Sequence, residues 1–251
     1  MSKRHTDIGL TPQHDHTIPD NIPFRNELVF YAPMHEQCCC DYVSNTVPET
    51  DFIDSNNRGI VIWDDNVGMW KVRTQQTPSS QDTFVAALNY YNLHLYSGIG
   101  QDNWYNRGIT IFLQMRKIAA NENNYLNWAA IDNLHISQPH GDNPNTPIDG
   151  RVRFTMSRAR YNSDLSTTSL SKLAISMDSV ANPGVDACTC RTYRDGTLNK
   201  TFTWIAAISG ATNPDSFAIA QNCRNCYYGE YYIKDVRIYN RVLTAQEVAQ
   251  L

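Results

Sequence analysis

The stretch Gly229-Glu-Tyr-Tyr-Ile-Lys-Asp-Val-Arg-Ile-Tyr-Asn-Arg-Val-Leu-Thr-Ala-Gln-Glu-Val248 passes from a strand into a helix within a short span. Tyr231 to Tyr239 is rich in aromatic and β-branched residues, and Val236 and Ile238, two apart, share one face of an extended chain. Thr244 and Glu247 then stand at the spacing of a capping box, with Leu243 and Val248 placed as a hydrophobic staple. One short helix is therefore predicted from Ala245 onward, with Val248 and Leu251 turned toward a core.

Working backward from this stretch, short alternating segments recur between Gly, Pro, Asn and Asp, the pattern of many strands with one buried face. In Gly108 to Arg116 the set Ile109, Ile111, Leu113 and Met115 falls on one side, and Thr110, Gln114 and Arg116 on the other. Arg151 to Ser157 (Val152, Phe154, Met156) and Ser171 to Met177 (Leu173, Ile175, Met177) repeat that parity. Further strands are expected at Leu28 to Ala32, Gly59 to Trp63, Thr83 to Leu88, Asn92 to Tyr96, Tyr125 to Ile131, Cys188 to Arg194, Lys200 to Ala206 and Ser216 to Ala220. Arg194-Asp195-Gly196-Thr197 carries the Asp-Gly signal of a tight hairpin. The connections look too short for crossover helices, so the strands are expected to pair antiparallel in an all-β, two-sheet β-sandwich spanning 26–251.

Residues 1–25 hold Pro12, Pro19 and Pro23 among polar residues without apolar period, and read as an extended N-terminal arm that could reach a neighbouring subunit. The 251 residues suffice for one large sandwich, and with 18% charged and 11% aromatic residues the chain should bury a core without disulfide staples. A net charge of -4 gives no electrostatic reason to bind nucleic acid; Arg151, Arg153, Arg158 and Arg160 read as a solvated strand face. No run of apolar residues is long enough for membrane insertion, and the start lacks a secretory segment, so synthesis in a cytoplasm is expected. Seven cysteines, an odd number, suit free thiols.

The 229–248 stretch closely resembles the closing signature of laminin-G-like jelly rolls in the concanavalin A-like lectin and glucanase superfamily, with Lys234 in place of the first acidic residue of that strand. Leu28-Val-Phe-Tyr-Ala-Pro33 is similar to the family's opening strand, and Arg191-Thr-Tyr-Arg-Asp-Gly-Thr-Leu198 to its internal hairpin. The resemblance brackets residues 27–251 and implies the fold more than any one function, because this scaffold serves lectins, adhesins, glucanases and structural proteins.

Four constellations could carry chemistry. Tyr90, Tyr91, Trp104 and Tyr105, beside Asp102 and Asn103, combine flat aromatic faces with groups that fix hydroxyls, the chemistry of a sugar platform. Asp142, Asn143, Asn145 and Asp149 offer an oxygen set that could hold calcium, without an ordered ligand code. Cys188, Cys190, Cys223 and Cys226 could converge on zinc, form a disulfide staple, or remain thiols; Cys38-Cys39-Cys40 cannot place all three sulfurs on one side of a strand and reads as thiols. The glucanase motif Glu-x-Asp-x-x-Glu, implied for the enzymes of the superfamily, has no counterpart. Glu230 and Asp235 fail by strand parity unless a bulge intervenes, as do Asp64 and Asp65.

The functional expectation is therefore non-catalytic. An adhesion-type fold without a secretory start suits a bacteriophage virion component (capsid decoration, head fibre or tail protein), held to other virion subunits through its arm or as a homo-oligomer, and displaying a domain for cell-surface glycan. The alternative is an extracellular or cellular carbohydrate-binding lectin module, and a glycoside hydrolase stands third. No cofactor is required by any of the three.

Overall fold

The computed structural model describes residues 17–34, 39–43, 59–74, 88–90, 108–120, 127–131, 134–137, 152–156, 159–163, 169–178, 187–205, 217–219 and 229–251. Its strands are β1 (Leu28–Ala32), β2 (Gly59–Asp64), β3 (Met69–Thr74), β4 (Leu88–Tyr90), β5 (Ile109–Ala120), β6 (Asn127–Ile131) and β7 (Leu134–Ser137). They continue with β8 (Val152–Met156), β9 (Ala159–Ser163), β10 (Ser171–Met177), β11 (Ala187–Arg194), β12 (Thr197–Ile205), β13 (Phe217–Ile219) and β14 (Gly229–Tyr239), and the helix α1 (Ala245–Val248) follows. They form two antiparallel sheets of a jelly-roll sandwich. The larger has the order β12-β11-β10-β5-β14-β3-β2, with β1 also on β14; the smaller runs β4-β13-β6-β7-β8-β9.

The stretch that decides the fold lies at the centre of the larger sheet. One edge of β14 pairs with β5 along its whole length. The other edge is shared: Gly229 to Ile233 pair with β3, and Val236 to Tyr239 with β1. The change of partner falls at Lys234, which the register skips between Ile233 and Asp235. A bulged residue is left out of the ladder, so the exposed Lys234 sits at the departure from the laminin-G-like pattern without placing a charge in the core.

The two faces of this sheet differ. Phe30, Ala32, Ile111, Leu113, Leu173, Ile175, Met177, Val236 and Ile238 are all at most 1% exposed and form the inner face. At roughly 1.5–3 kcal/mol for each fully buried large aliphatic or aromatic side chain, this face is the main source of stability. The alternate residues Tyr31, Arg237, Phe112, Ala174 and Tyr193 follow one another in register across β1, β14, β5, β10 and β11 on the outer face. That face is covered rather than wet. Leu243, Val248 and Leu251 close on it from the C-terminal side, and Ile22, with Ile18 and Phe24 packed alongside, from the N-terminal side.

Of the segment read as an extended arm, Ile18, Ile22 and Phe24 pack on the core, and residues 1–16 lie outside the described residues. Phe24 takes a left-handed φ of 56°, which delivers its ring edge-on to Tyr239 at 6.5 Å before the 3-10 turn Arg25–Glu27. The covering also explains Thr110. Parity puts it with Gln114 and Arg116, yet it is fully buried because its hydroxyl donates to the Arg241 carbonyl and accepts from the Leu243 amide, both at 2.9 Å.

Candidate functional site

The β11–β12 hairpin turns at Asp195 and Gly196, with φ of 48° and 78°, the doubly left-handed turn that Asp-Gly favours. Asp195 then locks onto β10: its amide donates to the Lys172 carbonyl at 2.8 Å, and its carboxylate accepts from the Lys172 amide at 2.9 Å. The first turn past Thr244 presses on the same hairpin, since a Cβ built at Gly196 would meet the Ala249 Cα at 3.0 Å. Lys172 completes the junction, its Nζ donating to the Leu251 carbonyl at 3.0 Å.

Between these elements a cleft of about 320 Å³ opens on the outer face. Phe112, Ala174, Val248 and Leu251 form its apolar back, and Gln114, Lys172 and Asp195 bring an amide, an ammonium and a carboxylate to its mouth beside the half-exposed Leu170. Next to it on β14 lies an ion pair. Arg237 Nε donates to Asp235 Oδ1 at 3.0 Å, a second contact joins Nη2 to Oδ2, and the guanidinium lies 4.9 Å from the Phe112 ring and 5.7 Å from that of Tyr31. Burial opposes the Arg237 charge, but the paired carboxylate outweighs it and holds the pKa above its ordinary value. Burial first, and the nearby Asp235 charge second, push the Tyr31 hydroxyl up to about 12.

A second polar group lies farther along the same face. Tyr232 donates to Asp64 Oδ2 at 2.5 Å, which holds the Asp64 carboxyl below its ordinary pKa, and Arg116 stacks 4.8 Å over the Tyr232 ring. Asp64 also caps its own turn, accepting from the Asn66 amide at 3.1 Å. This arrangement occupies one of the carboxylates weighed as a catalytic partner, and Arg237 occupies another. The bulge that could have aligned Glu230 with Asp235 is present at Lys234. Even so, five strand residues at about 3.3 Å each separate them by roughly 16 Å along the strand, about three times the spacing of a retaining pair.

Of the expected sugar platform, Tyr90 ends β4, an edge strand of the smaller sheet, opposite Phe217 of β13. Tyr91, Asp102, Asn103, Trp104 and Tyr105 lie outside the described residues, as do Asp142, Asn143, Asn145, Asp149, Cys223 and Cys226. Cys188 and Cys190 both fall on β11, opposite Trp204 and Phe202, and Cys190 is fully buried next to Met177 of β10. Among the described residues no three of His, Cys, Asp and Glu gather where they could hold a metal. The expectation of thiols throughout Cys38-Cys39-Cys40 is corrected at Cys40, which is disulfide-bonded. Cys39 beside it is a buried thiol whose pKa burial pushes well up. Sequence reasoning missed the cleft because its polar groups come from two strands and a turn far apart in the chain; the Asp-Gly hairpin and the capped helix with Val248 and Leu251 were legible, but not their meeting.

No family model and no curated protein sequence matches the chain. Solved structures do. The binding domain of Paraclostridial Mosquitocidal Protein 1 superposes with a TM-score of 0.58 at 15% identity, covering 89% of this chain and 51% of that one. The binding domain of botulinum neurotoxin DC in complex with rat synaptotagmin II gives 0.58 at 13% identity, over 89% and 51%. The same domain in complex with SialylT gives 0.58 at 11%, over 89% and 50%. The likeness is one of fold. It supports the jelly-roll sandwich architecture, and the chain spans about half the length of the binding domains it matches.

Proposed function

We propose that this chain is a non-catalytic recognition domain that binds a cell-surface glycan, with a protein receptor as a further kind of partner. One observation carries the reading: 89% of the chain shares its fold with about half the length of toxin binding domains, of which that of botulinum neurotoxin DC was solved both with SialylT and with synaptotagmin II. The likeness to toxin binding domains supports the lectin-module reading over that of a virion component. Tyr90 ends β4, an edge strand, and flat aromatic faces such as those of Tyr90, Tyr91, Trp104 and Tyr105 suit the apolar side of a sugar. Calcium at Asp142, Asn143, Asn145 and Asp149, or zinc at Cys188, Cys190, Cys223 and Cys226, would be accessory, and metal analysis of the purified chain tests both. The test of function is a glycan array. Defined hits weakened by Trp104→Ala support it, and an array without hits at high protein concentration refutes it.

A further inference from the structure

The geometry points to a second sugar subsite in the outer-face cleft between the β11–β12 turn and α1, taking one uncharged, hydroxyl-rich ring. This inference rests on the glycan-binding function proposed above but names a site that function does not require. At about 320 Å³ the cleft lies at the low end of small-molecule pockets, the size of a single ring rather than an extended chain.

Its chemistry is two-sided. Phe112, Ala174, Val248 and Leu251, each at most 7% exposed, give an apolar back for the carbon face of a ring. Its mouth mixes donors and acceptors: the Gln114 amide, the Lys172 ammonium and the Asp195 carboxylate. Lys172 gives one N–H to the Leu251 carbonyl and keeps two others, while Asp195 uses Oδ1 for the Lys172 amide and has Oδ2 at 3.4 Å from Arg194 Nε. Donors and an acceptor stand side by side at the mouth, which suits hydroxyls that both donate and accept. The site is also rigid, since its walls are two strands of the central sheet, a hairpin tied to β10 by paired hydrogen bonds, and a capped helical turn.

Leu170 stands 37% exposed at the rim, so Leu170→Trp should fill the mouth without disturbing the fold, and Gln114→Ala should remove one hydroxyl partner. The experiment titrates the best array glycan, and its terminal monosaccharide, into the full chain and these variants, in wild-type and Trp104→Ala backgrounds, with thermal midpoints as the check on folding. The expected result is a loss of at least about fivefold in affinity for Gln114→Ala, the scale of one hydrogen bond. For Leu170→Trp a larger loss is expected, in both backgrounds, with midpoints unchanged. Unaltered affinity in Leu170→Trp overturns the cleft while leaving the function standing. A wild-type chain that binds no glycan overturns the function and the cleft together.

Discussion

Glu247 sits where the capping box and an ion pair coincide. Its carboxylate accepts from the Thr244 amide at 2.8 Å and meets Arg241 through two contacts, Nη1 to Oε2 at 2.9 Å and Nη2 to Oε1 at 2.8 Å. The Arg241 hydrogen bonds first, and the Thr244 amide second, lower its pKa from 4.5 to about 2. At about 1.4 kcal/mol per pH unit that drop sets a ceiling of about 3 kcal/mol. The Arg241 and Glu247 side chains are 32% and 23% exposed, so water screens the pair and about 1–2 kcal/mol is expected. Glu247→Gln keeps an acceptor for the Thr244 amide and removes the charge, which isolates this contribution. Because the folded pKa is depressed, the stabilisation is complete above the ordinary carboxyl range and disappears as pH falls from about 4.5 toward 2. Urea unfolding followed by tryptophan fluorescence should show wild type ahead by about 0.5 M near neutral pH, for a slope of about 3 kcal/mol/M. Less than half of that lead should remain at about pH 3. A lead of the same size at pH 7 and pH 3, or no lead at either, would refute the assignment of the stability to this charge.

Three other substitutions test the same architecture. Gly196→Ala combines a φ of 78° with a 3.0 Å approach to the Ala249 backbone and should cost at least about 1–2 kcal/mol, read from the urea midpoint. Thr110→Val strands the Arg241 carbonyl and the Leu243 amide in a buried place and should cost about 2 kcal/mol, with the loss of amide exchange protection largest around residue 243. Asp235→Ala leaves Arg237 charged with a side chain only 8% exposed and should cost about 3 kcal/mol or more, whereas Asp235→Leu combined with Arg237→Met should be milder than the single change. A double variant worse than Asp235→Ala alone would show that the guanidinium serves the fold through its stacking on Tyr31 and Phe112 rather than through its charge.

The strands that read clearly in sequence are those with one dry face and strict alternation. β5 and β10 were legible because Ile109, Ile111, Leu113 and Met115, and Leu173, Ile175 and Met177, alternate strictly and are each at most 1% exposed. The terminal helix was legible because a capping box is a local device, and both of its reciprocal hydrogen bonds are present. β3 was not, since Met69-Trp-Lys-Val-Arg-Thr74 offers charges at Lys71 and Arg73 where a strand pattern is sought, and its place depends on pairing with β14, far away in sequence. β7 and β9 are short and likewise owe their place to their neighbours. The outer face of the larger sheet was hidden for a related reason. Periodicity says which residues share a side but not what lands on that side, so the burial of Thr110 and Arg237 follows from a cover supplied by residues 17–27 and 240–251.

Among the described residues this cover lies on one part of the face. Leu243, Val248 and Leu251 reach the row of Phe112, Ala174 and Tyr193, and α1 is a single turn, so the neighbouring row of Gln114 and Lys172 is left at the surface. The capping box fixes where the turn begins, Gly196 fixes how closely the turn approaches the hairpin, and Lys172 ties the Leu251 carbonyl to β10. The cleft is therefore set by the same contacts that stabilise the closing stretch of the chain. Gly196→Ala should consequently weaken ligand binding at Gln114 by more than its cost in stability explains, because it pushes the turn away from the hairpin that forms the cleft wall. Equal binding by Gly196→Ala and wild type under conditions where both are fully folded would break that link.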